Sequence, residues 1–262
     1  MPAMPLVKVH RRGAVTVLEL ARPETGNALS VALVAELTAA VTTAQEGEAR
    51  ALVLAGSGRH FCTGADLREL AAGAGAPLEE RVAEAQRLAA LYAALLHCPI
   101  LTLAAVQGAA YGGGAGLAAA CDLIVASPEA HFQFSEVRLG FVPALVATFL
   151  PRRVPHAALA RLVLDPHPLD ARAALAVGLV DRVTDDPHAS AEAWALEVCG
   201  KASPAALAET KRLLLSFALP RLDQELAEAA KTNAQQRSHP ECLRGVAEFL
   251  ERKTFTDWLH KG

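Results

Sequence analysis

The stretch AYGGGAGLAAACDLIVAS, residues 110–127, is the part of the sequence that most restricts what the chain can fold into. It places four glycines within five positions, just where an apolar helix is predicted to begin: Gly112, Gly113, Gly114 and Gly116. Glycine in a helix costs about 0.5–1 kcal/mol relative to alanine. We therefore expect these glycines to permit something that a Cβ atom would block.

The pattern of strand, glycine loop and helix occurs twice. The apolar segment RALVLAG leads into the loop SGRHFCTGA and a short helix predicted at Asp66–Leu70. In the same way, PILTLAAVQG leads into the glycine-rich stretch, and the strands DLIVAS and AHFQF are predicted after it. This repetition, at residues 50–70 and 99–121, predicts an α/β fold built from successive layered turns.

Segments before and after these repeats complete the predicted organisation. PLVKVH and AVTVLEL predict two strands joined by a glycine turn, and Ser30 is predicted to cap a helix that runs to about Glu46. A long amphipathic helix is predicted at Leu78–His97. After about Ser203, three helices follow without intervening strands. The sequence thus predicts a core at residues 1–202 and a helical C-terminal region at residues 203–262.

Composition limits the partners that the chain is expected to bind. The 262 residues are 52% hydrophobic and carry a net charge of −3, so no basic field attracts nucleic acid or an anionic membrane. No apolar run of about 20 residues predicts a membrane span, and no secretion signal is predicted in MPAMPLVKVHRRG. The five cysteines are odd in number and form no CxxC pair, which argues against a disulfide framework and a metal site. We expect a cytoplasmic protein.

The two glycine loops suggest a site built from backbone groups. Helix N-termini carry unpaired N–H groups and a partial positive charge. Two such ends that converge would offer two donors to one oxygen, as an oxyanion hole does. A dinucleotide-binding GxGxxG motif is not present, because Leu117 and Phe61 stand where the third glycine would be. The alternative that the glycines only permit close packing of helix against strand stays open.

These motifs resemble those of one enzyme family. SGRHFCTGADLREL, AAVQGAAYGGGAGLAAACDLIVAS and HFQFSEVRLGFVP, in this order, are similar to the enoyl-CoA hydratase/isomerase (crotonase) family, and the resemblance covers nearly the whole chain. It implies a crotonase-type spiral of ββα turns with a C-terminal α-helical region that builds homotrimers or hexamers. It also implies an acyl-CoA thioester as substrate, with CoA arriving as part of that substrate and with no other cofactor.

The resemblance assigns roles to particular positions. The N–H groups of Ala65 and Gly113 would stabilise a thioester enolate, and Glu136 would be the catalytic acid/base. The family's other catalytic glutamate would stand at Gly116, so one carboxylate is present and one is missing. The GGGAGL and SEVRLGFVPALV segments also resemble a bacterial subgroup related to methylglutaconyl-CoA hydratases. Further substrate contacts are implied for a set of seven residues: Leu29, Asp66, Leu67, Gly112, Gly116, Lys253 and Phe255.

Several readings of this site remain open. We expect first a hydratase that adds water to an enoyl-CoA, with a second group drawn from Tyr111, Ser135 or His131 as one possible aid to Glu136. The alternatives are an isomerase with Glu136 as sole acid/base, a decarboxylase or thioester lyase, and a non-catalytic acyl-CoA-binding homologue. Without the motif, Glu136 reads as a surface carboxylate paired with Arg138. Asp66 also reads as the cap of the helix that follows it.

Overall fold

The computed structural model describes residues 4–165 and 167–259, and within them the strands form two sheets. The larger sheet has the order β1-β2-β3-β4-β6-β9 and the smaller one the order β5-β7-β8. Strand β1 is antiparallel to β2, and every other neighbouring pair in the larger sheet is parallel. The strand bounds are β1 Val7–Arg12, β2 Val15–Leu20, β3 Ala51–Gly56, β4 Leu101–Val106, β5 Ala109–Tyr111, β6 Leu123–Ala126, β7 His131–Gln133, β8 Leu169–Asp170 and β9 Arg182–Val183.

Helices connect and cover these strands. Their bounds are α1 Val31–Glu46, α2 Leu67–Ala72, α3 Leu78–Leu96, α4 Gly113–Ala120, α5 Ala144–Phe149, α6 His156–Leu164, α7 Ala171–Ala176, α8 Pro187–Lys201, α9 Pro204–Ala218, α10 Leu222–Gln236 and α11 Pro240–Arg252. A 3₁₀ helix at Glu136–Leu139 follows β7. Within the described residues, no helix is both long and apolar enough to cross a membrane.

Side chains cap two of the helices whose starts the sequence predicts, α1 and α2. The Ser30 hydroxyl accepts a hydrogen bond from the Leu33 N–H at 3.1 Å at the start of α1. The Asp66 carboxylate accepts from the Arg68 N–H at 3.2 Å at the start of α2. Each bond satisfies one of the N–H groups that a helix leaves unpaired in its first turn.

The larger sheet is buried on both faces, which explains why its parallel strands are continuously apolar. Along β3, Leu52 and Leu54 point into the main core, where α1 and α3 pack. Val53, between them, points to the opposite face, which α8 covers with Ala191 and Ala195. The repeated strand–loop–helix pattern therefore stacks layers on one sheet, as predicted.

The three helices predicted after residue 203 are confirmed as α9, α10 and α11. Helix α10 packs against α3 and α5, and α11 packs against α2 and the 3₁₀ helix. The division at residues 202 and 203 stays a prediction, and residues 1–3 and 260–262 at its ends lie outside the described residues. The sequence did not predict α5 to α8, or the short strands β5, β8 and β9.

Candidate active site

One cavity of about 900 Å³ opens where the two glycine loops meet. We call residues 57–65 the first glycine loop and residues 110–114 the second glycine loop. The lining combines residues of both loops with the 3₁₀ helix, α3, α5, α10, α11 and the segment after α11. The exposed area of the lining is mainly apolar, but charged side chains such as Arg22, Arg68 and Arg237 are also part of it, so both apolar and charged groups of a ligand would find partners.

Backbone hydrogen bonds hold the two glycine loops together. The Tyr111 N–H donates to the Cys62 carbonyl at 3.0 Å, and the Cys62 N–H donates to the Ala109 carbonyl at 3.1 Å. Gly114 lies so close to the Cys62 carbonyl that a Cβ atom would collide with it. The glycine at this position is therefore required by the close approach of the two loops, which answers part of the question that the sequence raised.

The N–H of Ala65 is predicted from the sequence to be the first backbone donor. Its two neighbours bond to Leu29: the Leu29 N–H donates to the Gly64 carbonyl at 2.8 Å, and the Asp66 N–H donates to the Leu29 carbonyl at 3.1 Å. In a parallel bridge of this kind the central residue directs its own N–H to the other side. Ala65 is also one of the residues that line the cavity.

The N–H of Gly113, the first residue of α4, is predicted from the sequence to be the second backbone donor. The preceding Gly112 has φ +49° and ψ −121°, a conformation that residues with a side chain rarely adopt. This turn exposes the first N–H groups of the helix, which have no partner within the helix itself. Among the described residues, neither the Ala65 N–H nor the Gly113 N–H bonds to a backbone carbonyl of a turn or loop.

Glu136 faces the second glycine loop from the start of the 3₁₀ helix. A Cβ atom at Gly112 would lie 3.3 Å from Glu136 Oε1, so glycine leaves room for this carboxylate. Glu136 Oε2 is buried and has no hydrogen-bond partner in the described part of the chain. Burial raises the pKa of Glu136 from 4.5 to about 7. A carboxyl group with this pKa exchanges protons readily near neutral pH.

The alternative of a surface carboxylate paired with Arg138 is wrong. In the described residues no ion pair joins Glu136 to Arg138. The Arg138 guanidinium lies instead 3.6 Å from the centroid of the Phe255 ring. This places Phe255, predicted to touch CoA, beside the segment that carries Glu136.

Five of the predicted substrate contacts line the cavity, and two do not. Those in the lining are Leu29, Asp66, Leu67, Gly112 and Phe255. Gly116 is not part of the lining, because it packs against the lining residues Tyr92 and Val146. The Lys253 ammonium donates to the Leu250 carbonyl at 2.8 Å, and this exposed residue stays outside the lining. Asp66 combines its cap with an ion pair, since its carboxylate lies 3.1 Å from the Arg22 guanidinium.

The three groups considered as partners of Glu136 are distributed differently. Tyr111 and Ser135 line the cavity. His131 is exposed at the start of β7, with its ring bonded to the Glu129 carbonyl at 2.8 Å, and is not part of the lining. Sequence reasoning missed Tyr92, which is fully buried on α3 and also lines the cavity. A tyrosine on the apolar face of the predicted helix was the available signal, since a buried phenol needs a hydrogen-bond partner.

The layered α/β core with its C-terminal helices is the crotonase fold. It matches the crystal structure of an enoyl-CoA hydratase from Mycobacterium avium with a TM-score of 0.85 and 31% identity, covering 98% of this chain and 100% of the other. The sequence also matches the family described as enoyl-CoA hydratase/isomerase over residues 10–260. The chain belongs to the enoyl-CoA hydratase/isomerase family, whose named members are enzymes.

Two relatives with assigned names align over nearly their whole length. A Thermus thermophilus protein named "Putative enoyl-CoA hydratase" is 38% identical over 250 residues, which is 95% of this chain and 98% of the relative. The cyclohexa-1,5-dienecarbonyl-CoA hydratase of Thauera aromatica is 30% identical over 259 residues, which is 97% of this chain and 96% of the relative. Hydratase-like chemistry is therefore supported at the level of the family.

Proposed function

We propose that this protein adds water to an α,β-unsaturated acyl-CoA through a thioester enolate. The observation that carries the proposal is the buried, unpartnered Oε2 of Glu136 beside the turn at Gly112. A carboxylate without an internal partner is free to bind water or to exchange a proton with a substrate. The names of the relatives support hydration as the reaction that uses it.

The proposed reaction uses one carboxylate in two steps. Ionised Glu136 accepts a proton from a water molecule as the water oxygen bonds to Cβ of the substrate. The electron pair of the Cα=Cβ bond forms a double bond between Cα and the thioester carbon, and the carbonyl electron pair moves to the thioester oxygen. The N–H groups of Ala65 and Gly113 stabilise the resulting enolate. Protonated Glu136 then gives its proton to Cα, which restores the thioester carbonyl. Loss of one such backbone donor typically costs about 2.7–4 kcal/mol of transition-state stabilisation.

A single carboxylate lies on one face of the substrate, so both additions occur on that face. The hydroxyl group and the new hydrogen at Cα are expected to be syn. Hydration in D₂O followed by analysis of the product stereochemistry measures this directly. An anti product would contradict the role of Glu136 as both base and acid.

The test of the function is mass spectrometry of a panel of acyl-CoA thioesters in D₂O: straight-chain enoyl, branched, alicyclic and carboxylated. Addition of water to one member by the wild type, with loss of most turnover in Glu136→Gln, is the expected result. Glu129→Gln is the matched control, because Glu129 is exposed and lies outside the cavity lining. Loss of CO₂, or no conversion while CoA thioesters still bind, would contradict the proposal.

Isomerisation of the double bond is the second candidate. It is favoured by Gly116, which leaves no carboxylate at the position of the second glutamate. One carboxylate that removes a proton and returns it at another carbon is sufficient for this reaction. In the same D₂O experiment, deuterium uptake with migration of the double bond and without added water would assign the isomerase.

The assembly is a separate proposal. Helix α9 has no buried residue, and its Leu214 and Phe217 are 64% and 77% exposed. Exposed apolar side chains on one helix are consistent with a contact surface. On the basis of the family resemblance, we propose that the assembly is a homotrimer or a hexamer of two trimers. Sedimentation velocity tests this, and a monomer would contradict it. A cytoplasmic location, and chemistry with no metal or cofactor beyond the substrate's CoA, stay predictions from the sequence.

A further inference from the structure

Tyr92 is a buried phenol that the proposed proton transfers do not use. It lies on α3 with none of its surface exposed to solvent, and its ring centroid is 5.1 Å from that of Phe149. Its hydroxyl group is placed under the start of α4, close to both Gly113 and Gly116. This is the region where the family motif and this chain differ.

The phenol head fills the volume beside Gly116. A Cβ atom at this position would lie 2.9 Å from Tyr92 Oη and 2.7 Å from Val146 Cγ2. Both separations are shorter than those that such atoms normally keep, so any side chain at position 116 would require Tyr92 or Val146 to move. With Tyr92 in this position, a glutamate could not replace Gly116 unless the phenol or Val146 moved. The absence of a second carboxylate at position 116 is therefore linked to the packing of Tyr92.

The same hydroxyl group anchors the second glycine loop. Tyr92 Oη donates to the Gly113 carbonyl at 2.9 Å. Three consecutive glycines, at positions 112–114, provide no side chain that could restrain this turn from within, and glycine has the greatest conformational freedom of all residues. The bond from Tyr92 fixes the peptide group that contains the Gly113 carbonyl and the Gly114 N–H. The neighbouring peptide group, which carries the Gly113 N–H, is held by a bond from the Gly116 N–H to the Gly112 carbonyl at 3.0 Å. Tyr92 therefore restrains the Gly113 N–H through the backbone dihedral angles of Gly113.

The protonation state of Tyr92 suits this task. Burial raises the pKa of the phenol well above its ordinary value, and a charge on Glu136 raises it further. The hydroxyl group thus keeps its proton at any pH at which the protein is expected to work. It remains a donor to Gly113 even when Glu136 is ionised.

We propose that Tyr92 is a positioning residue of this site: its hydroxyl holds Gly113 in place as an enolate-stabilising donor and fills the space of a second carboxylate, which leaves Glu136 as the sole acid/base. The inference rests on the proposed function, since it assigns a role within that reaction. Tyr92 acts through Gly113 and does not touch the reacting atoms.

The consequence is a loss of catalysis without a matching loss of substrate binding. A donor that is displaced by about 1 Å can cost on the order of 100-fold in rate. Tyr92→Phe keeps the ring and its contact with Phe149 and removes only the hydroxyl group. We expect kcat to fall roughly 10- to 100-fold, with KM changed by less than about threefold, because the interaction matters most in the transition state.

The decisive experiment compares two thioesters that differ in charge at the oxygen. Acetoacetyl-CoA ionises in solution without an enzymatic base, and its enolate has a near-ultraviolet band that reports binding between the two donors. Butyryl-CoA stays neutral and reports binding of the ground state. Both are titrated into the wild type, Tyr92→Phe and Tyr111→Phe; the last removes the only other phenol hydroxyl group of the chain, which also lines the cavity.

The expected result is a large loss of enolate affinity in Tyr92→Phe, with butyryl-CoA affinity kept and a smaller effect in Tyr111→Phe. Equal enolate affinity in wild type and Tyr92→Phe would overturn the inference alone. So would a parallel loss of both affinities, which indicates general disruption, or a loss confined to Tyr111→Phe. If the wild type binds butyryl-CoA but not the acetoacetyl-CoA enolate, the proposed oxyanion hole is contradicted. The proposed function and the role of Tyr92 would then both be wrong.

Discussion

The two glycine loops, each of which is proposed to supply one backbone donor, are stabilised by different kinds of side chain. The first glycine loop is held by polar side chains that bond to its backbone. The Asn27 amide nitrogen donates to the carbonyls of Ser57, His60 and Phe61 at 2.9, 2.8 and 3.1 Å. The second glycine loop has no side chain on its three glycines, and it is held from outside by Tyr92 and by a bond from the Gly112 N–H to the Gln133 carbonyl at 2.7 Å.

Because different side chains hold the two loops, we expect substitutions at the first loop to affect mainly stability and substitutions at the second loop to affect mainly catalysis. In the first glycine loop, a single buried amide satisfies several carbonyls, so its loss should mainly weaken the fold. In the second glycine loop, the Tyr92 hydroxyl group adds one bond to the backbone bonds that already hold the turn, so its loss should mainly weaken the reaction. Substitutions at Glu136, at Asn27 and behind the second glycine loop should therefore have different effects on turnover and on the free energy of unfolding.

The largest effect is expected from Glu136→Gln, which leaves both loops intact. General acid–base catalysis contributes about 10²–10⁴-fold, and we expect turnover to fall by at least that factor. Acetoacetyl-CoA enolate should still bind, because the donors of Ala65 and Gly113 are backbone groups. Steady-state kinetics and the ultraviolet titration measure the two properties separately. Joint loss of turnover and enolate binding would mean that the carboxylate also shapes the loops.

Asn27→Ala is expected to have the next largest effect, and it acts on the first glycine loop. Each buried carbonyl left without its donor costs about 1–3 kcal/mol, and Asn27, with φ +56°, lies in a region that alanine disfavours. We expect the free energy of unfolding in urea to fall by about 2–4 kcal/mol. Asn27→Gly removes the same bonds without the backbone strain and should lose less. If Asn27→Ala and Asn27→Gly lose the same free energy of unfolding, the lost hydrogen bonds account for the whole effect and backbone strain contributes nothing.

The titration of Glu136 links catalysis to stability. With a pKa of about 7 in the folded protein and 4.5 as its ordinary value, the folded state holds the proton more tightly. The resulting stabilisation is full below pH 4.5 and is lost as pH rises through about 7. A rise from 4.5 to about 7 corresponds to at most about 3 kcal/mol. The unfolding free energy of Glu136→Gln should lack this dependence and exceed that of the wild type at pH 8.

The same titration sets the activity profile. Because Glu136 must be ionised to accept the first proton, kcat/KM should rise with pH through about 7. A profile that is flat from pH 5 to 9 would indicate that another group accepts the proton. In that case the wild type would still lose stability as Glu136 ionises, but its rate would stay constant over the same interval.

Sequence reasoning found the elements whose signals are local. Strands and helices around both loops follow from apolar runs, caps and glycines, and the positions of Ala65, Gly113 and Glu136 follow from motif resemblance. Helix α5, with six residues, spans less than two turns and so carries too little periodicity to be predicted. Tyr92 was missed for a different reason, because its relation to Gly113 exists only after α3 packs on α4. Contacts between segments distant in sequence leave no pattern in one chain.

The smallest effect tests the packing behind the second glycine loop. Gly116→Ala places a methyl group against Tyr92 and Val146, and overpacking of this kind typically costs about 1–3 kcal/mol. Gly200→Ala is the matched control: it is also a helical glycine, but a Cβ atom there meets nothing within 4 Å. The free energy of unfolding of Gly200→Ala should rise by about 0.5–1 kcal/mol, as is normal for alanine in a helix.

Val146→Ala combined with Gly116→Ala should recover part of the loss, as measured by a double-mutant cycle of unfolding free energies. If Gly116→Ala is as stable as Gly200→Ala, Tyr92 and Val146 can move to accept a side chain at little cost. Packing would then not explain why position 116 lacks a carboxylate.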